Sequence, residues 1–412
     1  MSRFIVIGIT DHPQPFFPPE VQEVIRRGKV FSGGKRHHDI VAPLLPEGSV
    51  WIDITVPLSA VFEQYLPHEE VVVFASGDPL FFGFANTLQR EFPDSPIKVF
   101  PSFNSLQMLA HRLVMPYHDM RIVSLTGRPW KAFDRALIEG APKIGILTDK
   151  EHTPATIARR MLDYGYTHYQ MHVGEHLGNP TQEKVTSLSL EEAARMDFSH
   201  PNCLILCPLC CDTVATTLAP FGIPDSSFSL LDGREKMITK MPIRLLTLQA
   251  LDLPRRHTFW DIGFCTGSVS IEARLLFPHL DITAFEIRPE GETLMHENTR
   301  RHHAPGITTF IGDFCSVCSD ALATTHTPPD AAFIGGHGGK LKDIMAQLVS
   351  IMPPQGRIVM NSVTAQSHQL WDEACEEQHL TQLPPLHIQL NDFNPITILS
   401  CELPSSPSAK QA

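Results

Sequence analysis

The sequence predicts an α/β protein built from two different α/β domains in succession, and three observations carry that expectation. Short β-branched strands alternate with helical stretches over residues 1–207. A stretch with several prolines, serines and glycines but no periodicity follows over 208–236, and reads as a linker or an edge excursion. A second, more regular βα alternation then runs over 237–403. Alternation of this kind buries apolar strands in a parallel or mixed sheet with helices on its faces. A length of 412 residues leaves room for two or three domains.

Each element follows from its local pattern. The apolar run at 4–9 predicts a strand. Residues 19–27 predict a helix, with Pro19 in the first turn, where its missing N–H is not needed. Strands are expected over 50–54, 71–75, 97–100 and 121–125, and helices over 80–91 and 105–113. A strand at 143–147, a helix at 154–164 and strands at 169–173, 185–188 and 203–206 continue the alternation. In the second part, strands are expected over 258–262, 280–285, 307–311, 331–334 and 357–360, with a helix over 268–276. The Ser/Pro-rich tail, 404–412, is expected to be disordered.

Composition excludes several classes. The net charge of −12 supplies no large basic field, so neither nucleic acid nor an anionic membrane surface is an expected partner. The apolar start is too short for a signal peptide, and no apolar run reaches the roughly 18 residues of a spanning helix. A cytoplasmic protein is expected. The nine cysteines form no regular disulfide framework. Cys203, Cys207, Cys210 and Cys211 invite a metal reading, yet 203–207 reads as a buried strand whose pleat fixes the side chains. Zinc sites usually present ligand pairs on turns. Buried thiols and no metal are expected.

The chemistry-bearing features of the second part lie at strand ends. The strand at 258–262 runs into Gly263-Phe264-Cys265-Thr266-Gly267, ahead of the helix-prone 268–276. A glycine-bearing strand-to-helix turn lets a ligand approach the backbone at the carboxyl edge of a sheet. Glu286 closes the next strand about 20 positions on, where an acidic residue holds a ribose hydroxyl pair. Later strands end at Gly312-Asp313, at Gly335-Gly336-His337-Gly338-Gly339 and at Asn361. The turn is G-x-x-x-G, not the G-x-G-x-x-G of dinucleotide dehydrogenases, and it carries Thr266 and Ser268. That suits a Rossmann-like, class I methyltransferase using S-adenosylmethionine better than a pyrophosphate ligand. Asp261 and Glu286 could otherwise be plain strand-end carboxylates; five strand ends in register favour the cofactor reading.

Met237-Ile238-Thr239-Lys240 with Arg244, then Asp261-Ile262-Gly263-x-x-Thr266-Gly267-Ser268, Gly312-Asp313, Phe333-Ile334-Gly335-Gly336-x-Gly338-Gly339 and Asn394-Pro395 resemble one family. It is the decarboxylating C-terminal part of the precorrin-6Y C5,15-methyltransferases of cobalamin biosynthesis. The resemblance covers 237–403, and the Gly335–Gly339 segment is its most specific part. It implies methylation of carbon 15 of a corrinoid ring and loss of carbon dioxide from an acetate side chain, with S-adenosylmethionine as cofactor. It places Thr239, Asp261, Gly263, Phe264, Cys265, Thr266, Gly267, Glu286, Asp313 and Phe314 on the cofactor side. Gly335, Gly336, Gly338 and Gly339 become a backbone anion nest for substrate carboxylates. Lys240, Arg244 and Lys340 become their cationic partners, or else solvated surface charges. Two departures stand out: Phe264-Cys265 replaces smaller residues, and His337 stands where serine is common. His337 is the candidate catalytic residue, contacting a substrate carboxylate or donating a proton, or else it points to water.

In the first part, the strand at 71–75 leads into Ser76-Gly77-Asp78-Pro79, a turn that alone is common. With Gly33-Gly34-Lys35-Arg36-His37, Pro101-Ser102-Phe103-Asn104-Ser105 and Gly174-Glu175-His176-Leu177-Gly178, it resembles the tetrapyrrole methylases (class III methyltransferases). The likeness is particularly to the cobalt-precorrin-7 C5-methyltransferases. The resemblance implies two α/β subdomains with the cofactor in the cleft between them. Gly77, Asp78, Ser102 and Ser105 fall on the cofactor side. Lys35 and Arg36, beside His37, bind a substrate carboxylate or simply begin a solvated helix. The Gly-Pro-Gly loop usual after the first strand is replaced by Ile9-Thr10-Asp11-His12-Pro13-Gln14-Pro15, which removes a close backbone approach.

Together these readings predict a tetrapyrrole methylase-like C5-methyltransferase over 1–207, a linker over 208–236, and a class I C15-methyltransferase and decarboxylase over 237–403. The expected substrate is a small precorrin, and self-association is expected from the resemblance. One alternative keeps the second activity and makes the first domain a non-catalytic substrate-binding module, because of the altered loop at 11–19. An RNA or protein methyltransferase is a further reading; the acidic balance and the missing basic-aromatic stripe count against RNA.

Overall fold

The computed structural model describes residues 2–209, 221–234, 237–391 and 394–405. Its chain forms two compact units: one of Met1–Arg128, Ala141–Leu162 and Thr167–Cys211, the other of Pro129–Gly140, Asp163–Tyr166 and Asp212–Ala412.

The first unit holds two five-stranded sheets. One contains β1 (Arg3–Ile9), β2 (Val30–Gly33), β3 (Val50–Asp53), β4 (Glu70–Ser76) and β5 (Ile97–Phe100), all parallel, in the order β3-β2-β4-β1-β5. Central β1 and β4 are buried along most of their length, which is why they read as continuous apolar runs and not as alternating ones. The second sheet contains β6 (Arg121–Ser124), β7 (Ile144–Leu147), β8 (Tyr169–Glu175), β9 (Lys184–Ser189) and β10 (Asn202–Pro208) in the order β6-β7-β10-β8-β9. Only β6 and β7 pair in parallel here.

The second unit is built on one eight-stranded sheet. Its strands are β11 (Thr258–Ile262), β12 (Asp281–Glu286), β13 (Ile307–Ile311), β14 (Ala331–Ile334), β15 (Arg357–Ser362), β16 (Thr381–Gln382), β17 (Leu386–Ile388) and β18 (Ile396–Glu402). The order β13-β12-β11-β14-β15 is parallel, and β18 adds antiparallel beside β15. This is the doubly wound, Rossmann-like arrangement expected of the second part. The strand order reverses between β11 and β14, and ligands bind at such a switch point. The helix Ser268–Leu276 is buried continuously from Ser268 to Arg274, so the turn before it is fixed from behind.

Three differences from the sequence reading have physical causes. The helix expected over 80–91 starts only at Phe84, because Phe82 takes a positive φ of 54° and a side chain on Gly83 would strike the Pro79 carbonyl. Strand β2 and the helices Lys35–Val41, Leu58–Tyr65 and Lys131–Ile138 carry too few residues to show a period. Within the stretch read as a linker, residues 221–234 pack into the second unit: Ile223 and Phe228 are buried in a cluster with Phe264, Ile271 and Met295. The Gly222 and Ile223 N–H groups donate to the Glu272 carboxylate at 3.0 and 3.1 Å. Arg244 donates to the same carboxylate from Nε at 2.8 Å, and both side chains of this ion pair are buried. The tail from 406 onward and Cys210 and Cys211 lie outside the described residues. Among the described residues no group of three or more His, Cys, Asp or Glu side chains could hold a metal ion, and no helix is long and apolar enough to cross a membrane.

Candidate cofactor and substrate sites

In the second unit, the carboxyl ends of β11, β12, β13 and β14 surround a cavity of about 230 Å³. Gly263, Glu286, Arg288, Asp313, Phe314, Gly336, His337 and Gly338 line it. Gly263 takes a φ of +78°, and a Cβ there would lie 2.7 Å from the Gly336 nitrogen. The two loops touch backbone to backbone, which only glycine allows. Two carbonyls tie the strand ends together. The Ile262 oxygen accepts from the Gly335 and Gly336 N–H groups, and the Phe285 oxygen from those of Gly263 and Phe264.

The turn divides its labour. Gly263 faces the cavity, whereas Phe264 sends its ring into the core and Thr266 is buried. The carbonyl of Thr266 accepts from the Asn298 amide. Gly267 is required by packing, since a Cβ there would meet the Met295 sulfur at 2.5 Å. Cys265, at a φ of 51°, donates its N–H to Glu286 Oε2 at 2.8 Å. Of the predicted cofactor residues, Gly263, Glu286, Asp313 and Phe314 meet at the cavity. Thr239, Asp261, Phe264, Cys265, Thr266 and Gly267 stand behind or beside it.

Among the predicted substrate residues, Arg244 needs the clearest correction. Its guanidinium is fully buried and engaged by Glu272, Asp225, and the Thr239 and Ile223 carbonyls. It holds the 221–234 stretch in place and has no face toward a substrate. Lys240 lies beside the same Asp225 carboxylate at 3.8 Å. The N–H groups of Gly335 and Gly336 are spent on Ile262, so an anion nest can use only the far side of the loop. There Gly338 and Gly339 have positive φ and open space around them. His337 lines the cavity half-buried; its Nδ1 accepts from the Gly339 N–H at 3.2 Å, and burial pulls its pKa down. Neutral His337 therefore carries its proton on Nε2. Lys340 pairs with Asp313 at 2.5 Å and holds that carboxyl below its usual range.

Asp261 is fully buried and accepts from Ser270 Oγ at 2.5 Å; burial pushes its pKa up to about 7. The folded chain thus keeps this proton to near pH 7, while the unfolded chain releases it near 3.8. In that window the folded state binds more protons, so stability falls as pH rises from about 4 to 7 and stays low above. Asp261→Asn is expected to remove this slope and to raise stability at pH 8 by up to about 4 kcal/mol. Urea unfolding at pH 5 and pH 8 reads the effect, and an equal change at both pH values contradicts it.

In the first unit, a cavity of about 500 Å³ is lined by residues of both of its sheets and their loops. Gly8 and Gly77 make it possible. A Cβ on Gly8 would lie 2.0 Å from the Gly77 carbonyl, and one on Gly77, whose φ is +60°, would lie 3.0 Å from the Asn104 Cα. Ser105 lines the cavity at the start of a helix capped reciprocally by Asn104 and Gln107. Asp78 turns back on its own chain, accepting from the Leu80 N–H at 2.9 Å. Asp78 and Ser102 do not line the cavity, and neither does exposed Lys35. Arg36 does. Its Nη1 meets Asp11 Oδ1 at 3.1 Å and its Nη2 donates to Ser76 Oγ at 2.8 Å.

The loop that departs from the family pattern thus brings a carboxylate to the cavity. Asp11 also contacts His176 Nδ1 at 3.3 Å, and His37 contacts Ser76 Oγ at 2.9 Å. Burial, with Arg36 beside it, holds the His37 pKa at about 4. Exposed Phe82 and Phe103 line the same cavity, with the Arg128 guanidinium 5.4 Å over the Phe82 ring. Sequence reasoning missed Gly8, Asp11, Ser76, Asn104 and Arg288 as site residues. Gly8 had a usable signal, a glycine inside an apolar strand, which marks close backbone approach.

Two family models match. The precorrin methyltransferase domain matches residues 232–401, and the tetrapyrrole (corrin/porphyrin) methylases match residues 18–194. A precorrin-6Y C(5,15)-methyltransferase (decarboxylating) from Sinorhizobium sp is 30% identical over 364 residues, 87% of this chain and 84% of the relative. A cobalt-precorrin-6B C(15)-methyltransferase (decarboxylating) from Salmonella typhi is 33% identical over 42% of this chain and 92% of its own length. A cobalt-precorrin-7 C(5)-methyltransferase from Salmonella typhimurium is 27% identical over 42% of this chain and 84% of its own length.

Proposed function

The chain belongs to the family of decarboxylating precorrin-6Y C(5,15)-methyltransferases, and from that premise we propose that it methylates carbons 5 and 15 of a precorrin in cobalamin biosynthesis. Loss of carbon dioxide from an acetate side chain accompanies the carbon-15 step, and S-adenosylmethionine is the cofactor. The observation that carries this reading is the pairing, in one chain, of likenesses to two single-activity enzymes, with family models matching 18–194 and 232–401, the stretches that supply most of the lining of the two cavities. The domains we assign are 1–207 for carbon 5 and 237–403, together with the packed stretch 221–234, for carbon 15. The small acidic substrate, cytoplasmic location and self-association are part of the same proposal, with the net negative charge speaking against nucleic acid.

The residues present fit an adenosine-bearing cofactor in the second unit. Glu286 offers a carboxylate at the end of β12, and the backbone at Gly336 faces open space that a Cβ would not fill. When bound, the cofactor supplies an electrophilic methyl group. A meso carbon of a reduced tetrapyrrole is electron-rich, so the chain's task is alignment more than acid-base work. Gly263, Glu286, Asp313 and Phe314 hold the cofactor side; Gly338, Gly339 and Lys340 receive carboxylates, and His337 Nε2–H is the candidate donor of the one proton that replaces the carbon dioxide lost from the acetate side chain. In the first unit, Gly77 and Ser105 hold the cofactor side, Arg36 takes a carboxylate, and Phe82 and Phe103 carry the flat macrocycle.

The full chain, given labelled S-adenosylmethionine and cobalt-precorrin-6B, should transfer two methyl groups and release one carbon dioxide by mass spectrometry. Glu286→Ala should lose the carbon-15 transfer and the carbon dioxide, while still transferring one methyl group when cobalt-precorrin-7 is supplied. A single methyl transfer by the unaltered chain, lost in Glu286→Ala, would instead make the first unit a binding module. That second reading rests on the replaced loop carrying Asp11.

A further inference from the structure

The carboxylate assigned above to the cofactor's hydroxyl pair is already saturated by the chain. Glu286 Oε1 accepts from the Arg288 backbone N–H at 3.1 Å and from Arg288 Nε at 2.9 Å. Glu286 Oε2 accepts from the Cys265 N–H at 2.8 Å and from Arg288 Nη2 at 3.2 Å. A carboxylate offers about four lone-pair sites, so no acceptor is left for two further hydroxyls.

Two of the four donors are backbone groups held by the turn and the strand end. The other two belong to one long, flexible side chain. The Arg288 side chain is 37% exposed against 1% for Glu286, and it lines the same cavity as Gly263 and Asp313. Beyond Glu286, its Nη1 approaches the Met237 sulfur at 4.0 Å and the Cys265 thiol lies beside the guanidinium, both weak acceptors. The carboxylate is therefore fixed and its cationic cover is not.

We propose that Arg288 is a displaceable latch on Glu286, which a vicinal diol must lift to bind. The proposal rests on the cofactor reading of the second unit. The latch keeps the buried carboxylate paired when no diol is there, and it taxes every diol-bearing ligand equally. Its physical consequence is weaker binding of the spent cofactor as well as the fresh one, and so easier exchange between turnovers. The backbone bonds from Cys265 and Arg288 remain in place throughout and keep the carboxylate aimed.

The test is calorimetric titration of the full chain with S-adenosylhomocysteine and with its 2′,3′-dideoxy analogue. Glu286→Ala identifies which binding event belongs to the second unit. Arg288→Met should tighten that event roughly tenfold for S-adenosylhomocysteine, the worth of about one charged hydrogen bond. It should leave the dideoxy analogue unchanged. Unchanged or weakened S-adenosylhomocysteine binding in Arg288→Met overturns the latch. If Glu286→Ala leaves every binding event unaltered, the diol site itself is refuted, whatever Arg288 does. A measurement free of variants is the Arg288 Nε–H resonance in the unaltered chain. The latch requires it to shift and exchange faster with solvent on addition of S-adenosylhomocysteine; an unmoved, protected signal overturns it.

Discussion

Glu272→Ala is expected to cost the second unit about 3–5 kcal/mol of stability, because it leaves the fully buried Arg244 guanidinium without its principal counter-charge. The carboxylate also accepts the Gly222 and Ile223 N–H groups, so two backbone donors lose their acceptor in the same change. For a unit of this size the loss should lower the melting temperature by roughly 10 °C. The double change Glu272→Leu with Arg244→Met removes both charges and should recover the part of the loss due to the unpaired guanidinium, while the Gly222 and Ile223 N–H groups still lack their acceptor. Differential scanning calorimetry of the single and double variants reads both effects. A single variant that melts within a degree of the unaltered chain would show that the 221–234 stretch is held by its apolar contacts alone.

Gly263→Ala should cut carbon-15 methyl transfer about a hundredfold while leaving the unit folded. A φ of +78° costs an L residue roughly 1–2 kcal/mol. The added methyl would also sit 2.7 Å from the Gly336 nitrogen and 2.9 Å from its oxygen, atoms that have no rotamer to escape into. One loop must move, and a displacement of about 1 Å at a site that works by alignment is worth about a hundredfold in rate. Gly336→Ala is the control, since its Cβ would meet nothing within 4 Å. Rates of labelled methyl transfer decide the matter: equal losses in both variants would mean that the backbone contact does not position the site.

What could be read from the chain in advance was whatever depends on neighbours in sequence. The Gly263–Gly267 turn, the strand before it and Glu286 one strand later form a local βαβ grammar, and the doubly wound order follows from it. Arg244 was read as a free cation because its partner, Glu272, lies 28 residues away on a helix whose buried face includes it. Arg36 was left open for the same reason: the groups that fix it, Asp11 and Ser76, are 25 and 40 residues distant. His176, which closes that network onto Asp11, is 165 residues away. A charged residue declares its type in the sequence, but its burial and partner belong to the folded sheet. Strand β2 went unseen because four residues cannot establish a period.

The paired acceptors at Ile262 and Phe285 have a mechanical consequence. Each carbonyl receives two N–H groups from a neighbouring loop, so the cross-strand bonding of β11, β12 and β14 continues beyond their last paired residues. None of these ends can fray alone, because releasing one strands the donors of another. Moving one loop of the cavity rim therefore moves its neighbour, and the side chains that project from the rim are the parts that can adjust independently.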